Sequence, residues 1–301
     1  MILLILAAMT LGTGAGQAPI ERKTCRAPDG VEIVYSAAGA GRTSLVLVHG
    51  GMADRTFYDG QLRAFAPKYR VLAVDLGGHG ESGSNRRDWG LPTLGADIKA
   101  AADAERLGRV ILFGNSLGGP VVIEAARLLE GRVLGVVGID TFHDLGTAYE
   151  GEQARVRDAF LRQRADGFRT DHHGAMRTMI KMLFHADADP ALVQRTEERM
   201  LKTPAAVAYA VLSGMAGYDG SRPARALKVP IRTINGDLFP IDVAAIRRAI
   251  PGFDAVVMKH TGHYPMLEKP EAFNAHVAAI VTALDRQGVG EPGRPGPRGP
   301  E

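Results

Sequence analysis

A glycine-flanked serine at the end of an apolar run constrains this chain more than any other feature. The run reads Ile-Leu-Phe-Gly-Asn-Ser-Leu-Gly-Gly-Pro over residues 111–120 and holds Ser116 in a Gly-x-Ser-x-Gly pattern. A strand that turns sharply into a helix strains its apex residue, and Gly114 and Gly118 give that turn the room it needs. The turn lifts the hydroxyl clear of the sheet beside a helix N-terminus, which favours negative charge. The pattern therefore predicts a nucleophile whose reaction creates an oxyanion; the alternative is a serine that only caps a helix.

Short apolar runs alternate with helical patterns along most of the chain. Residues 31–36 alternate apolar and polar positions, as a half-buried antiparallel strand does, whereas several later runs are continuously apolar, as in parallel strands covered on both faces. The predicted strands are 31–36, 44–48, 70–74, 110–113, 133–139, 230–234 and 255–258, and the predicted helices outside one long insertion are 57–65, 93–107, 120–129 and 271–284. This order predicts an α/β protein with a mostly parallel sheet and right-handed crossovers.

Residues 144–218 show helical patterns only. We expect them to form a helical cap between two core segments, 19–143 and 219–286. Five of the ten methionines lie in this insertion, where they pack a helical core or line an adaptable apolar pocket.

Both ends of the chain differ from this core. Residues 2–11 are apolar and small residues follow them, so we expect residues 1–18 to be a signal peptide and the protein to be secreted or periplasmic. The run is too short to span a bilayer. No Lys or Arg precedes it, which leaves an uncleaved anchor, a mistranslated start or a cytoplasmic protein as alternatives. Residues 287–301 are rich in Gly and Pro and are expected to be a disordered tail.

Composition narrows the possible partners. The net charge of +3 comes without a Lys/Arg run or a basic helix stripe, which argues against nucleic acid. The single cysteine, Cys25, excludes an internal disulfide and a cysteine-based metal cluster. The pairs His172-His173 and Asp187-Ala-Asp189 lack further ligands, and no cofactor motif occurs. We therefore expect a small-molecule substrate and neither metal nor cofactor, while no pattern indicates an oligomeric state.

A serine nucleophile needs a base, and the base must be oriented by a buried acid. In strand-ordered α/β proteins these groups come from loops after later strands. His263 follows Gly262 and precedes Pro265 in the loop after the last predicted strand, so it is the expected base, with His260 second.

Three aspartates compete for the role of the acid. Asp237 directly follows a glycine turn after a predicted strand and is the preferred candidate. Asp140 stands at the end of the strand 133–139, from which it could also reach the histidine, and is the alternative acid. Asp242 reads better as a helix N-cap.

The His-Gly-Gly-Met turn after strand 44–48 supplies a candidate oxyanion hole. Glycine at the carboxyl end of a strand lets substrate approach a backbone N–H closely. We expect the N–H groups of Gly51 and Leu117 to bind the oxyanion, the alternative being a plain strand-to-helix loop.

Four ordered motifs together resemble the α/β-hydrolase fold superfamily, in its serine-nucleophile, esterase-like branch. They are His49-Gly50-Gly51, Asp75-Leu-Gly-Gly-His-Gly-Glu-Ser82, Gly114-Asn-Ser-Leu-Gly118, and Gly262-His263 with Glu268-Lys-Pro270. The resemblance implies a mostly parallel, twisted sheet flanked by helices, with a helical cap inserted after the sixth strand. One departure is local, because Asp237 adjoins Gly236 where the superfamily usually places its acid two or three residues beyond the turn glycine.

The superfamily hosts many reactions, so the reaction has to be argued from the site. A Ser-His-Asp triad with an acyl-enzyme intermediate favours hydrolysis of a small or medium carboxylic ester. The alternatives are a C–C bond hydrolase of ring-fission-type diketones, whose elbow the Gly-Asn-Ser-Leu-Gly-Gly string resembles, and a ligand-binding receptor that retains the triad.

Overall fold

The computed structural model describes residues 18–145, 147 and 149–287. The expected signal peptide, 1–18, therefore lies outside the described residues except for its last residue. The expected disordered tail, 287–301, lies outside them except for its first.

The described residues contain one eight-stranded sheet. Its strands are β1 (Glu21–Arg26), β2 (Glu32–Ala38), β3 (Ser44–Val48), β4 (Arg70–Val74), β5 (Val110–Asn115), β6 (Val133–Ile139), β7 (Ile231–Asn235) and β8 (Asp254–Val257). Their order across the sheet is β1-β2-β4-β3-β5-β6-β7-β8. Pairing is antiparallel between β1, β2 and β4 and parallel from β4 through β8. The carboxyl ends of β3, β5, β6 and β7 consequently meet at one edge, where ligands bind in such sheets.

The apolar runs are buried because both faces of the sheet are covered. In β3, Val46 and Val48 belong to one hydrophobic cluster while Leu45 and Leu47 belong to a second, as the alternation of side chains across a strand requires. This double burial explains why the central strands read as continuous apolar runs.

Strand β1 was not predicted. Its sequence, Glu-Arg-Lys-Thr-Cys-Arg, is polar and its residues are exposed or half-buried. It pairs antiparallel with β2, with Cys25 opposite Ile33, at the outer edge of the sheet. An edge strand needs no apolar face, and charged residues are common there.

Helices cover the sheet and fill the insertion. They are α1 (Asp59–Phe65), α2 (Leu91–Ala104), α3 (Gly118–Leu128), α4 (Gly151–Thr170), α5 (His172–Leu183), α6 (Pro190–Met200), α7 (Ala205–Met215), α8 (Ser221–Ala226), α9 (Val243–Ala249), α10 (Pro265–Glu268) and α11 (Pro270–Gln287). Helices α4 to α8 lie between β6 and β7. The first four of them fall within residues 144–218, which we call the helical insertion. Within the described part of the chain, no helix combines the length and apolarity that crossing a membrane requires.

Candidate active site

Ser116 sits at the turn between β5 and α3 with φ of +51°, in the left-handed region that costs a non-glycine residue energy. The flanking glycines make this turn possible. A Cβ atom at position 114 would lie 2.1 Å from the carbonyl oxygen of Gly118, and one at position 118 would lie 2.6 Å from that of Val48. Side chains at positions 114 and 118 would therefore clash with the backbone, which explains the two glycines of the Gly-x-Ser-x-Gly pattern.

His263 is buried in the loop after β8. Its backbone N–H donates to the carbonyl oxygen of Leu183 in the helical insertion, at 2.8 Å. Its ring lies edge-on to the rings of Phe239 and Tyr264, with centroids 6.2 and 5.2 Å away. These contacts fix the position of the imidazole from the core and from the insertion.

The carboxylate bonded to His263 is that of Asp140. The imidazole Nδ1 lies 2.5 Å from Asp140 Oδ2, and the other carboxylate oxygen accepts the backbone N–H of Gly236 at 2.9 Å. Asp140 directly follows β6, is 1% exposed and has φ of +44°. Ser116 follows β5 and Asp140 follows β6, and these two strands are neighbours in the sheet.

Burial alone would raise the pKa of Asp140, but its contacts with His143 and His263 outweigh burial and hold the pKa well below its usual range. His143 Nε2 lies 3.7 Å from Asp140 Oδ1 and 3.2 Å from the Asn235 side-chain nitrogen. The carboxylate therefore stays ionised between two imidazoles. The sequence pattern does not single out His143, although this residue stands three positions after Asp140.

The expected pairing of His263 with Asp237 is wrong. Asp237 Oδ1 lies 2.8 Å from His185 Nε2, and its carboxylate accepts the backbone N–H groups of His260 and Thr261. The backbone of Asp237 also donates to Thr261 O at 3.0 Å, so the residue closes this turn from outside instead of reaching His263. The bond from the His260 N–H is the main reason that the pKa of Asp237 lies below its usual range, with His185 and Thr261 adding to it.

The two remaining candidates have structural positions as well. Asp242 caps α9 by accepting the N–H of Ala245 at 2.8 Å, as its sequence context indicated. His260 is exposed, and its ring centroid lies 6.1 Å from that of His185.

Gly51 and Leu117 both line the cavity that Ser116 also lines. Among the described residues, no hydrogen bond uses the N–H of either one. The turn that carries Gly51 is held by His49, whose Nδ1 lies 2.7 Å from Gly50 O and whose Nε2 accepts the N–H of Leu76.

His49 and His79 lie beneath this turn, with ring centroids 5.0 Å apart. Burial lowers the pKa of His49 to about 4 and that of His79 to about 3, so both rings are neutral at pH 7. Neutral His49 can therefore accept one backbone bond and donate another, which fixes the glycine turn.

The cavity has a volume of about 490 Å³ and is lined mainly by apolar side chains, as small-molecule sites commonly are. Ser116, Asp140 and His263 line it from the sheet edge. Helices α4 to α7 of the insertion contribute Arg157, Phe160, Leu161, Arg164, Met179, Leu183, Met200, Val211, Leu212 and Met215. Three of the insertion's methionines thus face the cavity. No group of three metal-ligating side chains occurs in the part of the chain that the structure describes.

A model of the alpha/beta hydrolase family matches residues 45–276, which include the whole constellation above. The chain belongs to this family. The matched range contains the elbow serine, the helical insertion and the His263 loop.

Several known proteins resemble this chain. It is 30% identical over 263 residues to the dihydrolipoyllysine-residue acetyltransferase component of the acetoin cleaving system of Pseudomonas putida, a match that covers 82% of this chain and 65% of that protein. The chain thus spans less than two thirds of that relative. Pimeloyl-(acyl-carrier protein) methyl ester esterase of Pectobacterium carotovorum is 24% identical and is covered to 99%, against 83% of this chain. A solved esterase from Thermogutta terrifontis superposes with a TM-score of 0.77 at 25% identity, covering 88% of this chain and 99% of its own.

Proposed function

We propose that this hydrolase cleaves a small or medium carboxylic ester through an acyl-enzyme, with Ser116 as nucleophile, His263 as base and Asp140 as the orienting acid. The observation that carries the proposal is the juxtaposition in one cavity of a strained elbow serine with a histidine whose Nδ1 bonds a buried carboxylate. Esterases among the relatives and structural neighbours support the same reaction class.

The bond between His263 and Asp140 sets the tautomer of the imidazole. With its proton on Nδ1 donated to the ionised carboxylate, Nε2 carries the lone pair that removes a proton from Ser116 Oγ. As that proton leaves, the serine oxygen attacks the acyl carbon and the carbonyl electrons move onto oxygen. His263 then gives the proton to the departing alcohol, and the Asp140 carboxylate stabilises the transient imidazolium.

The oxyanion formed in this step is bound by the N–H groups of Gly51 and Leu117, which donate no other bond among the described residues. Each such donor contributes about 3 kcal/mol to stabilising the transition state. Water activated by His263 then attacks the acyl-enzyme, which releases the acid and restores Ser116.

The test is steady-state hydrolysis of 4-nitrophenyl acetate, butyrate and octanoate by the purified full chain and by Ser116→Ala. We expect turnover in the wild type and a loss of at least about a thousandfold in the variant, because the covalent step is removed. Circular dichroism of both proteins serves as the folding control.

Two outcomes would contradict the proposal. Equal turnover in wild type and Ser116→Ala would remove the serine from the mechanism. Absence of ester turnover in a folded wild type, together with cleavage of a ring-fission diketone, would assign the site to C–C bond hydrolysis.

A further inference from the structure

One face of α4 lines the cavity and carries two positive charges. Arg157, Phe160, Leu161 and Arg164 all contribute to the lining, and their spacing of three, four and seven residues places them on one side of the helix. Phe160 is 52% exposed, so this face borders the mouth of the cavity.

The first of these arginines is already partnered. Arg157 donates from Nη2 to the carbonyl oxygen of Tyr218, and its guanidinium lies 5.0 Å from the ring centroid of Tyr149. Its Nε also lies 3.8 Å from the carboxylate of Asp158. Its charge is therefore balanced by groups of the insertion itself.

Arg164 has a different environment. Within the described ranges, no carboxylate lies within 4.0 Å of its guanidinium, and its aromatic contact is the ring of Phe160 at 5.6 Å. Partial burial lowers the pKa of Arg164, yet an arginine stays charged in a protein. A half-buried charge with no counterion beside an apolar cavity is unfavourable until an anion joins it.

The two acids that line the cavity do not supply that anion. Asp140 is held by His263 and by the N–H of Gly236. Asp144 is exposed, and its carboxylate bonds the Tyr149 hydroxyl. Neither lies within ion-pair distance of Arg164 in the described part of the chain.

We propose that Arg164 binds a carboxylate at the far end of the substrate's acyl chain, so that the preferred substrates are hemiesters of dicarboxylic acids. The kinetic test of this inference rests on the proposed esterase function. A guanidinium presents parallel N–H donors that match a carboxylate, and the mainly apolar lining of the cavity accommodates the methylene chain.

The test compares 4-nitrophenyl hemiesters of succinate, glutarate and adipate with neutral 4-nitrophenyl esters of equal acyl length. We expect wild type to show a higher kcat/KM for at least one hemiester, and Arg164→Gln to lower that preference at least about tenfold through KM. Arg164→Lys, which keeps the charge, should retain part of the preference. Arg162→Gln removes an equal charge from an exposed position two residues away and should leave it unchanged.

A preference that is absent in wild type, or that Arg164→Gln and Arg162→Gln affect equally, would overturn the inference while leaving the esterase proposal intact. If the folded wild type hydrolyses no ester, calorimetric titration with glutarate decides the inference separately. Weaker glutarate binding by Arg164→Gln than by Arg162→Gln supports the subsite. Equal binding, or none, refutes it.

Discussion

Two aspartate–histidine pairs involve the loop that follows β8. Asp140 and His263 form the inner pair, buried at the cavity. Asp237 and His185 form the outer pair, where the aspartate side chain is 22% exposed and the histidine 26%. The residue types and bond lengths are similar, so residue type and distance alone do not show which pair serves the reaction that we propose.

Their neighbours make the difference. The inner carboxylate is closed off from water, and its histidine shares a cavity with Ser116. The outer carboxylate also accepts the backbone N–H groups of residues 260 and 261, and its histidine belongs to the helical insertion. The outer pair ties the insertion to the turn that precedes His263, while the inner pair orients the imidazole.

The largest expected effect separates the two aspartates. Asp140→Asn keeps an acceptor for the Gly236 N–H but allows the His263 ring to adopt the wrong tautomer, so kcat should fall by roughly a thousandfold or more. Asp237 does not line the cavity, so Asp237→Asn should keep kcat within about twofold of the wild-type value. Steady-state kinetics on 4-nitrophenyl butyrate would reverse our assignment if Asp237→Asn were the inactive variant.

The second-largest expected effect is a loss of stability at low pH, and it comes from two buried histidines that have no carboxylate partner among the described residues. His49 and His79 have pKa values lowered by burial to about 4 and about 3, so the unfolded chain binds protons that the folded chain does not. Stability should therefore fall as pH drops below about 6.5, by about 2 kcal/mol for each histidine at pH 5. Urea unfolding at pH 7 and pH 5 measures the loss. His79→Phe should lose less than wild type, and an identical loss would show that His79 is not responsible.

The smallest effect concerns the outer pair. His185→Gln removes the bond between the insertion and Asp237, so hydrogen exchange should rise in residues 184–189 and 259–262. KM should increase modestly and kcat should hold, because the inner pair is untouched. Unchanged exchange in both segments would mean that this bond does not hold the insertion in place.

The sequence was sufficient for most of the sheet core. The elbow spacing selected Ser116 and the loop context selected His263 over His260, and both side chains line one cavity. Their roles as nucleophile and base stay predictions. The choice of acid failed because both Asp140 and Asp237 follow a strand of the same sheet. What separates them is a left-handed backbone at position 140 and a turn that closes over the Asp237 carboxylate, and neither is visible in the order of residues.

Two other features could not be predicted from the sequence. Strand β1 has no apolar face because it lies at the sheet edge, so its polar sequence gave no strand signal. Helix α4 holds five arginines, and only the packing of the insertion determines which of them face the cavity. In both cases the deciding information lies in neighbours distant along the chain.

The bond from the His263 N–H to the Leu183 carbonyl has an evolutionary consequence. Leu183 lines the cavity, yet the group that supports His263 belongs to its main chain. Any residue at position 183 supplies the same carbonyl. The cavity wall can therefore be remodelled for a new substrate, one side chain at a time, while this support of His263 is inherited unchanged.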